Sequence, residues 1–390
     1  MTISILHAID LLLWFFMAIS VAYVAFFAFV CLVRSRKKEA VSSDTPFRYL
    51  VLYPAYNEDN VIRLSVETFL QQDYPRSNYE LAVISDHMQP ATNQWLSAQP
   101  ITLFQPVFEK SSKAKALQYA MREVASKGKT FDYVVILDAD NVVGKDFLIR
   151  LNEVCHAGHQ AIQCHRTAKN SDGDIAALDG ASEEINNTIF RYAHNLIGLS
   201  SALIGSGMCF DFHWFQDNVN QLSTAGEDRE LEAMLLRQRI HIHYADHIYV
   251  MDEKVSSGDN FQRQRLRWMT AQIQCLLAML PYLPKAIATG NINYIDNTLQ
   301  QALIPRSILL VIITLLSLLM LLLQPAWSLK WWLLLGILGL SLVIAIPRRL
   351  RSRTLFGNAL LIPQLVLRML GNIAHIDTHN KDFIHTTHDK

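Results

Sequence analysis

Two carboxylates, Asp138 and Asp140, directly follow the apolar run 133–137 and are the residues of this sequence best suited to metal chemistry. The run is short and rich in β-branched residues, which predicts a buried strand. In extended backbone, residues two apart share a face, so both carboxylates are expected at the carboxyl end of this strand. There they favour a divalent cation that binds an anionic ligand. A solvated pair of aspartates leading into the next helix is the ordinary alternative.

Polar residues close two further predicted strands. The strand 49–53 ends at Pro54 and is followed by the loop 54–58, and the strand 81–84 ends on Ser85 and Asp86. Alternating strands and helices predict an α/β fold with a mostly parallel sheet, which binds ligands at the carboxyl edge of its strands. The other elements predicted in this part are a strand over 101–104 and helices over 60–72, 91–98, 113–126 and 145–155.

Neither common nucleotide-binding loop is present. No GxGxxG follows the first strand and no GxxxxGK[ST] occurs, which argues against dinucleotide and P-loop sites. A nucleotide bound at this sheet edge would need a metal for its phosphates in place of a glycine-rich loop.

The next segments carry a second acidic pair and a basic, aromatic stretch. A strand is predicted over 160–166 and a long helix over 175–199. Glu227 and Asp228 open another predicted helix, where acidic residues also stabilise the helix dipole. The stretch 262–268 leads into the amphipathic segment 269–283, which suits a membrane surface; attraction of its cations to anionic lipid is the ordinary explanation.

Apolar segments at both ends predict a membrane protein. Residues 9–33 are long enough to span a bilayer, and the basic residues 34–38 that follow place this end in the cytoplasm. Two more spans are predicted over 304–323 and 331–346, again followed by arginines. The apolar segment 355–370 is short and contains Pro363, which favours an interfacial or re-entrant helix over a fourth span.

These segments divide the chain into four parts. We expect an N-terminal transmembrane helix over 1–33, a cytoplasmic catalytic domain over 34–301, a transmembrane hairpin over 302–346, and an interfacial helix and cytoplasmic tail over 347–390. The protein is therefore expected in the cell membrane as a multi-pass protein. The catalytic domain includes the interfacial helix near 262–283.

Composition excludes some functions. Lys and Arg together number 35, as do Asp and Glu, so the formal net charge is zero and no bulk attraction to nucleic acid is expected. The five cysteines show no CxxC or other metal-ligand spacing, so they are expected to be reduced thiols.

Four motifs occur in the order typical of one enzyme family. They are Leu52–Glu58, Asp138–Asp140, Gly226–Asp228 and Gln264–Trp268, the last with the pattern Gln-x-x-Arg-Trp. Together they resemble the family 2 glycosyltransferases, specifically the membrane-anchored branch that includes cellulose, hyaluronan and poly-N-acetylglucosamine synthases. The segment 113–117 also resembles a family segment. The chain departs from the family at the end of the second strand, where Asp86 is the only acidic residue.

The resemblance implies a GT-A-type fold and transfer of a sugar, with inversion, from a nucleoside diphosphate sugar that is expected to be UDP-linked. It implies a divalent cation, Mg²⁺ or Mn²⁺, as cofactor. It also implies roles for three sets of residues: catalytic Asp228 (the general base), Glu227, Gln264, Arg267 and Trp268; nucleotide-sugar-binding Pro54, Tyr56, Asn57, Glu58, Asp86, Lys113 and Asp138; and metal-binding Asp138 and Asp140.

The expected partners are the nucleoside diphosphate sugar, the lipid bilayer and a glycan or lipid-linked acceptor, with a polysaccharide-synthesis complex or homo-oligomer as an open question. The main hypothesis is an enzyme of surface polysaccharide synthesis, which the Gln-x-x-Arg-Trp motif favours. A transferase that adds one sugar to a lipid carrier suits three spans better. A non-catalytic subunit that binds the nucleotide sugar is the third alternative, and the intact Asp138, Asp140 and Asp228 argue against it.

Overall fold

The computed structural model describes residues 2–35, 45–169, 174–224, 226–254 and 258–351, together with residues 357 and 363. The predicted helix over 355–370 and the tail that follows lie almost entirely outside the described residues. The basic residues 36–38 after the first apolar segment also lie outside them.

Eight strands form one sheet in the described chain. They are β1 (Tyr49–Tyr56), β2 (Tyr79–Asp86), β3 (Thr102–Phe104), β4 (Tyr133–Ile136), β5 (Val142–Val143), β6 (Ala161–Ala168), β7 (Met208–Asp211) and β8 (Ile242–Asp252). The helices are α1 (Thr2–Val33), α2 (Ile62–Phe69), α3 (Pro90–Ser97), α4 (Lys113–Ser126), α5 (Phe147–His156), α6 (Asp174–Asn186), α7 (His194–Leu196), α8 (Phe212–Asn218), α9 (Glu227–Arg237), α10 (Gly258–Met279), α11 (Leu283–Ala288), α12 (Ile292–Ala302), α13 (Arg306–Leu323) and α14 (Pro325–Ala345).

The sheet is mixed, with strand order β3-β2-β1-β4-β7-β6-β8-β5. The first four strands are parallel, as the alternation of strands and helices predicts. Strand β7 runs antiparallel to both β4 and β6, and β5 runs antiparallel to β8. Buried apolar side chains cover both faces of the sheet, so the carboxyl edge of the parallel strands remains the place for polar side chains.

Strand β1 does not end at Pro54, as the sequence predicts, but continues to Tyr56. Its pairing with β4 stops at Leu52, whereas its pairing with β2 continues through Tyr56. Beyond Leu52 the strand has a neighbour on one side only. Proline is tolerated at such an edge because its missing N–H interrupts no ladder.

The predicted helix over 175–199 is three pieces. Helix α6 ends at Asn186, a π-helical segment runs over Asn187–Ala193, and α7 follows. The π-helical segment leads directly into His194, whose side chain contacts residues of α1. His194 stacks on Phe27 with ring centroids 3.7 Å apart, and its Nε2 lies 2.8 Å from the Tyr23 hydroxyl of α1.

Three described helices are long and apolar enough to cross a membrane, over 5–33, 306–323 and 325–345. The last helix begins six residues before the predicted span, because Pro325 occupies a first-turn position where proline is well tolerated. The three helices pack on one another, and Asp10 of α1 pairs with Lys330 of α14 and accepts a hydrogen bond from Trp331 Nε1 at 2.8 Å.

Candidate active site

A cavity of about 650 Å³ begins at the carboxyl edge of β1, β2 and β4 and continues between the apolar helices. All but one of the residues predicted for the site line it. These are Pro54, Tyr56, Glu58, Asp86, Lys113, Asp138, Asp140, Glu227, Asp228, Gln264, Arg267 and Trp268. Four sequence motifs that lie far apart in the chain therefore meet around one space.

Asn57 is the exception, because it does not line the cavity. Its backbone has φ +54°, a left-handed conformation that asparagine tolerates better than most residues. Its N–H donates to the Asp86 carbonyl at 3.2 Å and so joins the ends of β1 and β2. Asn57 shapes the loop, whereas Tyr56 and Glu58 on either side of it reach the cavity.

Asp138 and Asp140 lie in a turn after β4, which ends at Ile136, and not on extended backbone as predicted. The buried amide of Asn141 organises this turn. Its Oδ1 accepts from the Asp138 N–H at 2.9 Å and from the Ser206 hydroxyl, and its Nδ2 donates to Asp140 Oδ1 at 3.0 Å. Both aspartates still line the cavity, because these hydrogen bonds of Asn141 fix the conformation of the turn.

The end of β8 fixes Asp140 from the other side. The Glu253 N–H donates to Asp140 Oδ2 at 3.0 Å. Next to it, Asp252 lies in a buried network in which Arg166 binds both oxygens of Glu183 at 3.0 Å. Burial, partly offset by Lys254 and Arg166, raises the pKa of Asp252 to about 7. The negative charge of Asp252 and Glu183, close to Asp140, is thus largely balanced by Arg166 and Lys254.

Lys113, the first residue of α4, connects the two acidic pairs. Its ammonium binds Asp138 Oδ1, donates to the Gly205 carbonyl at 2.5 Å and lies 3.4 Å from Glu227 Oε1. Burial alone would lower its pKa, but attraction to Asp138 and Glu227 outweighs burial and raises it. Lys113 is therefore cationic at neutral pH and sits between the aspartates of β4 and the acidic turn of α9.

Glu227 is a buried carboxylate whose charge is poorly compensated. Burial, together with the repulsion of Asp228 and Asp138, raises its pKa to about 7, although Lys113 acts in the opposite direction. Gly205 lies against the acidic pair with φ +73°, and a side chain added there would be 3.6 Å from Asp228 Oδ2 and 3.8 Å from Glu227 Oε1. The glycine lets the backbone carbonyl that binds Lys113 approach these carboxylates.

Asp228 is partly exposed in the first turn of α9, and its Oδ1 accepts from the Arg229 N–H at 2.8 Å. Neighbouring amides of a helix N-terminus stabilise an ionised carboxylate. Its other oxygen, Oδ2, lies next to Gly205, at 3.6 Å from where a Cβ on that glycine would be. Asp228 thus combines a fixed orientation with access to the cavity, which are the requirements for a group that receives a proton.

Helix α10 brings Gln264, Arg267 and Trp268 to the cavity wall. Burial lowers the pKa of the Arg267 guanidinium, whereas Glu227, Asp138 and Asp228 raise it and so all lie within electrostatic reach. Gln264 Oε1 is buried and accepts no hydrogen bond from the described residues. The guanidinium of Arg265 covers one face of Trp268 at 4.6 Å from the ring centroid.

The described residues contain no cluster of three or more His, Cys, Asp or Glu side chains that could hold a metal ion by themselves. Asp138 and Asp140 nevertheless fit a hard cation, because both present carboxylate oxygens to the cavity. Mg²⁺ commonly binds through one or two carboxylates and completes its shell with water and substrate phosphates. The pair therefore suits a cation that arrives with a diphosphate.

Several residues that form the site were missed by the sequence analysis. Asn141 does not line the cavity but is buried directly after the Asp-x-Asp motif, and a polar side chain at a strand end is the signal that could have identified it. Arg191 and Arg306 line the same cavity nearer the apolar helices. They belong to no motif, and only the packing of three distant helices brings them to this space.

A model of a glycosyltransferase like family 2 matches residues 46–271, which is more than half of the chain. The chain belongs to this family. Family 2 glycosyltransferases are enzymes, so the cavity is the candidate active site of a sugar transferase. The matched segment begins just before β1 and ends in α10, and it contains all the motif residues described above. No curated protein sequence matches the chain.

Two solved structures are reported as similar to this family 2 chain, and the first of them supports its GT-A-like fold. One similar structure is the mannosyltransferase PcManGT from Pyrobaculum calidifontis in complex with GDP-Man and Mn²⁺, with a TM-score of 0.53 and 17% identity over 84% of this chain and 96% of that one. Another is TarS 1–349 from S. aureus in complex with UDP-GlcNAc, with a TM-score of 0.42 and 15% identity over 84% of this chain and 89% of that one.

Proposed function

We propose that this chain is a membrane-bound, inverting glycosyltransferase that uses a cytoplasmic nucleoside diphosphate sugar and an acceptor held at the membrane. The observation that carries this proposal is the continuous cavity. One end is lined by the strand-edge residues Asp86, Asp138 and Asp140, and the other end by side chains of α1, α13 and α14. Asp228 lines the same cavity beside Glu227 and Gly205, and in this proposal the donor and the acceptor meet there.

The donor end has the charges that a nucleoside diphosphate requires. A divalent cation held by Asp138 and Asp140 would offset the negative charge of the diphosphate. Arg267 stabilises the charge that grows on the leaving group as its bond to the sugar breaks. Asp86 is the nucleoside-binding residue in this proposal, since its carboxylate is buried at the end of β2 and bound by His87 Nδ1 at 2.5 Å.

The transfer step follows from this arrangement. The acceptor hydroxyl oxygen attacks the anomeric carbon and its proton passes to Asp228. The bond from the anomeric carbon to the diphosphate oxygen breaks, and its electron pair leaves with the nucleoside diphosphate. Attack from the side opposite the leaving group inverts the anomeric centre. Proton removal by a positioned carboxylate contributes on the order of 10²–10⁴-fold to the rate.

Lys113 and Glu227 act on this step through charge. Lys113 holds Asp138 and Glu227 together, so it keeps the acidic turn of α9 beside the donor end. Glu227 carries a proton for part of the time at neutral pH, since its pKa is raised to about 7. We propose that a protonated Glu227 reduces repulsion near the diphosphate, whereas the ionised form strengthens its attraction to Arg267.

The Gln-x-x-Arg-Trp motif supports a place in the polymerising branch, with a growing glycan as acceptor and Trp268 beside the acceptor sugar. Transfer of one sugar to a lipid carrier is the second candidate, and the apolar far end of the cavity favours it. Both candidates place the chain in the cell membrane as a multi-pass protein with its transferase domain in the cytoplasm, and the segment near 262–283 at the interface.

A donor panel tests this function. Membranes that contain the full chain are incubated with radiolabelled UDP- and GDP-sugars, with Mn²⁺, Mg²⁺ or a chelator, and the products are sized. We expect metal-dependent transfer from one donor to a membrane-bound product. A ladder of lengths supports the polymerising candidate and a single addition supports the lipid-carrier candidate. Absence of transfer and of donor hydrolysis in every arm would refute the proposed transferase activity.

A further inference from the structure

The membrane-side end of the cavity contains two arginines. Arg191 and Arg306 both line the cavity. Among the residues that the structure describes, neither forms an ion pair with a carboxylate, in contrast to Arg166, Arg265 and Lys113, which all do. Glu183 and Glu232 offset part of the charge of Arg191 through space, so Arg306 is the guanidinium that lacks a counter-charge. A guanidinium without a counter-charge in such a cavity is costly and indicates a site for an anion.

Arg306 is the first residue of α13 and is held by neutral groups. Its Nη2 donates to the Ser182 carbonyl at 3.2 Å and to Asn186 Oδ1 at 2.7 Å. Its Nη1 is buried and has no hydrogen-bond partner among the described residues. The charged groups that act on it are two further cations, Arg265 and Arg191. The guanidinium is thus fixed in direction with one donor nitrogen unused.

Arg191 lies in the π-helical segment and is only 3% exposed. Its Nη1 donates to Asn187 Oδ1 at 2.7 Å, and its Nε has no partner in the described part of the chain. Asn187 is itself anchored, because its Nδ2 donates to the Arg166 carbonyl at 2.8 Å. π-Helical turns are frequent at functional sites, where the extra residue redirects a side chain.

The wall beyond the two arginines is apolar. It is formed by Val24 of α1, Phe190 beside Arg191, Leu310 of α13, and Leu342 and Val343 of α14. These positions lie on or against helices that are long and apolar enough to cross a membrane. A ligand that fills this end therefore needs a charged head beside Arg306 and a hydrocarbon part between the helices.

We propose that Arg191 and Arg306 bind the phosphate of a lipid-linked saccharide acceptor, whose hydrocarbon chain lies between α1, α13 and α14 and whose sugar hydroxyl reaches Asp228. Phosphate oxygens accept bidentate, charge-assisted hydrogen bonds from guanidinium groups. The site lies at the start of α13, where a lipid headgroup would reach the cytoplasmic face. The inference rests on the proposed transferase function, since it names the class of acceptor that meets the donor near Asp228.

Two matched amphiphiles test the site directly. The purified full chain in detergent is titrated with farnesyl phosphate, with farnesol and with inorganic phosphate, and binding is followed by microscale thermophoresis. We expect farnesyl phosphate to bind at least tenfold more tightly than either of the others. Arg306→Gln and Arg191→Gln should each lose this preference, and Arg306→Lys should keep part of it. Arg348→Gln, an exposed arginine outside the cavity, is the matched control and should bind as the unmodified chain does.

A second titration separates this inference from the proposed function. UDP and GDP, each with Mn²⁺, are titrated into the same variants, and the preferred nucleotide should bind them with unchanged affinity. This result also shows that the variants are folded. Equal binding of farnesol and farnesyl phosphate would overturn the phosphate site, and equal binding of inorganic phosphate would overturn its lipid character. Weaker nucleotide binding by Arg306→Gln would assign the arginines to the donor. If neither nucleotide binds the unmodified chain while farnesyl phosphate does, the transferase proposal fails and the phosphate site stands.

Discussion

The two ends of the cavity carry opposite charge, and their charged side chains are held by different kinds of partner. At the strand edge, Asp138 and Glu227 share one lysine, and Asp140 is bound by an amide and a backbone N–H. At the membrane side, Arg191 and Arg306 are held by asparagines and a serine. The acidic end is therefore held in part by a cation, whereas the hydrogen-bond partners of the two arginines are neutral, and each end is left with net charge.

This difference in charge indicates which ligand each end of the cavity is expected to bind. A diphosphate is repelled by carboxylates unless a cation comes with it, so the acidic end suits a metal-bound donor. A phosphate without a cation is attracted by guanidinium groups directly. One cavity with two charged ends can thus hold two phosphate-bearing molecules in a fixed order, with Asp228 at the point where they meet.

Substitution at this meeting point should have the largest effect. We expect Asp228→Asn to lower kcat by about 10²–10⁴-fold, because the amide cannot accept the acceptor's proton. Binding of both nucleotide and farnesyl phosphate should be retained. Radiolabel transfer in membranes measures the first effect and thermophoresis the second. Asp217→Asn, an exposed carboxylate of α8, is the control and should be fully active. Unchanged transfer by Asp228→Asn would remove the assignment of the base.

Loss of a metal-binding carboxylate should weaken ligand binding at the acidic end only. We expect Asp140→Asn to weaken Mn²⁺-dependent nucleotide binding by about 10–100-fold, a range typical of changes around metal ligands. Farnesyl phosphate binding should not change. Titrations with and without Mn²⁺ measure both effects. Equal nucleotide affinity in the variant with Mn²⁺ present would show that the cation is held elsewhere.

Replacement of Lys113, the lysine shared by Asp138 and Glu227, should shift the pH dependence of kcat/KM. Lys113 lowers the pKa of Glu227, which burial and repulsion raise to about 7. Lys113→Met removes the largest influence that lowers this pKa, so the pKa of Glu227 should rise above 7. We expect the part of the kcat/KM profile that reports Glu227 to shift to higher pH by about one unit, equivalent to about tenfold at a fixed pH on the acid side. An unshifted profile would show that Glu227 does not affect the reaction.

Glu232, a buried carboxylate of α9 that does not line the cavity, should affect stability and not chemistry. It accepts from the Leu203 N–H at 3.2 Å and from Asn297, and burial raises its pKa to about 7. An acid whose pKa is raised on folding binds its proton more tightly when folded, so its stabilising effect is complete below the unfolded value near 4.5 and is lost as pH rises through 7.

We therefore expect the melting temperature of the unmodified chain in detergent to fall between pH 5 and 8, and Glu232→Gln to flatten that fall. The amide of Asn297 can turn to pair with glutamine, because its Oδ1 has no partner among the described residues. Transfer activity should be retained at pH 7. A fall of equal steepness in the variant would show that Glu232 titrates alike in the folded and unfolded chain.

The acidic end could be predicted from the sequence, and the basic end could not. Asp138, Asp140 and Asp228 stand where local patterns identify them, after a buried strand or in the first turn of a helix. The sequence did not predict that β4 stops before the aspartates, since the turn is held by Asn141 and the distant Ser206. Arg191 and Arg306 carry no local signal, because their meeting depends on how α6, the π-helical segment and α13 pack.

The π-helical segment over Asn187–Ala193 limits how this chain can vary in length. A π turn contains one more residue than an α turn, so removal of a single residue would rotate everything after it by about 100°. After a deletion between Arg191 and His194, Arg191 could keep facing the cavity only if His194 lost its contacts with Tyr23 and Asp296. Surface loops tolerate insertions and deletions of several residues, but this helix tolerates none without separating its two inward-facing side chains.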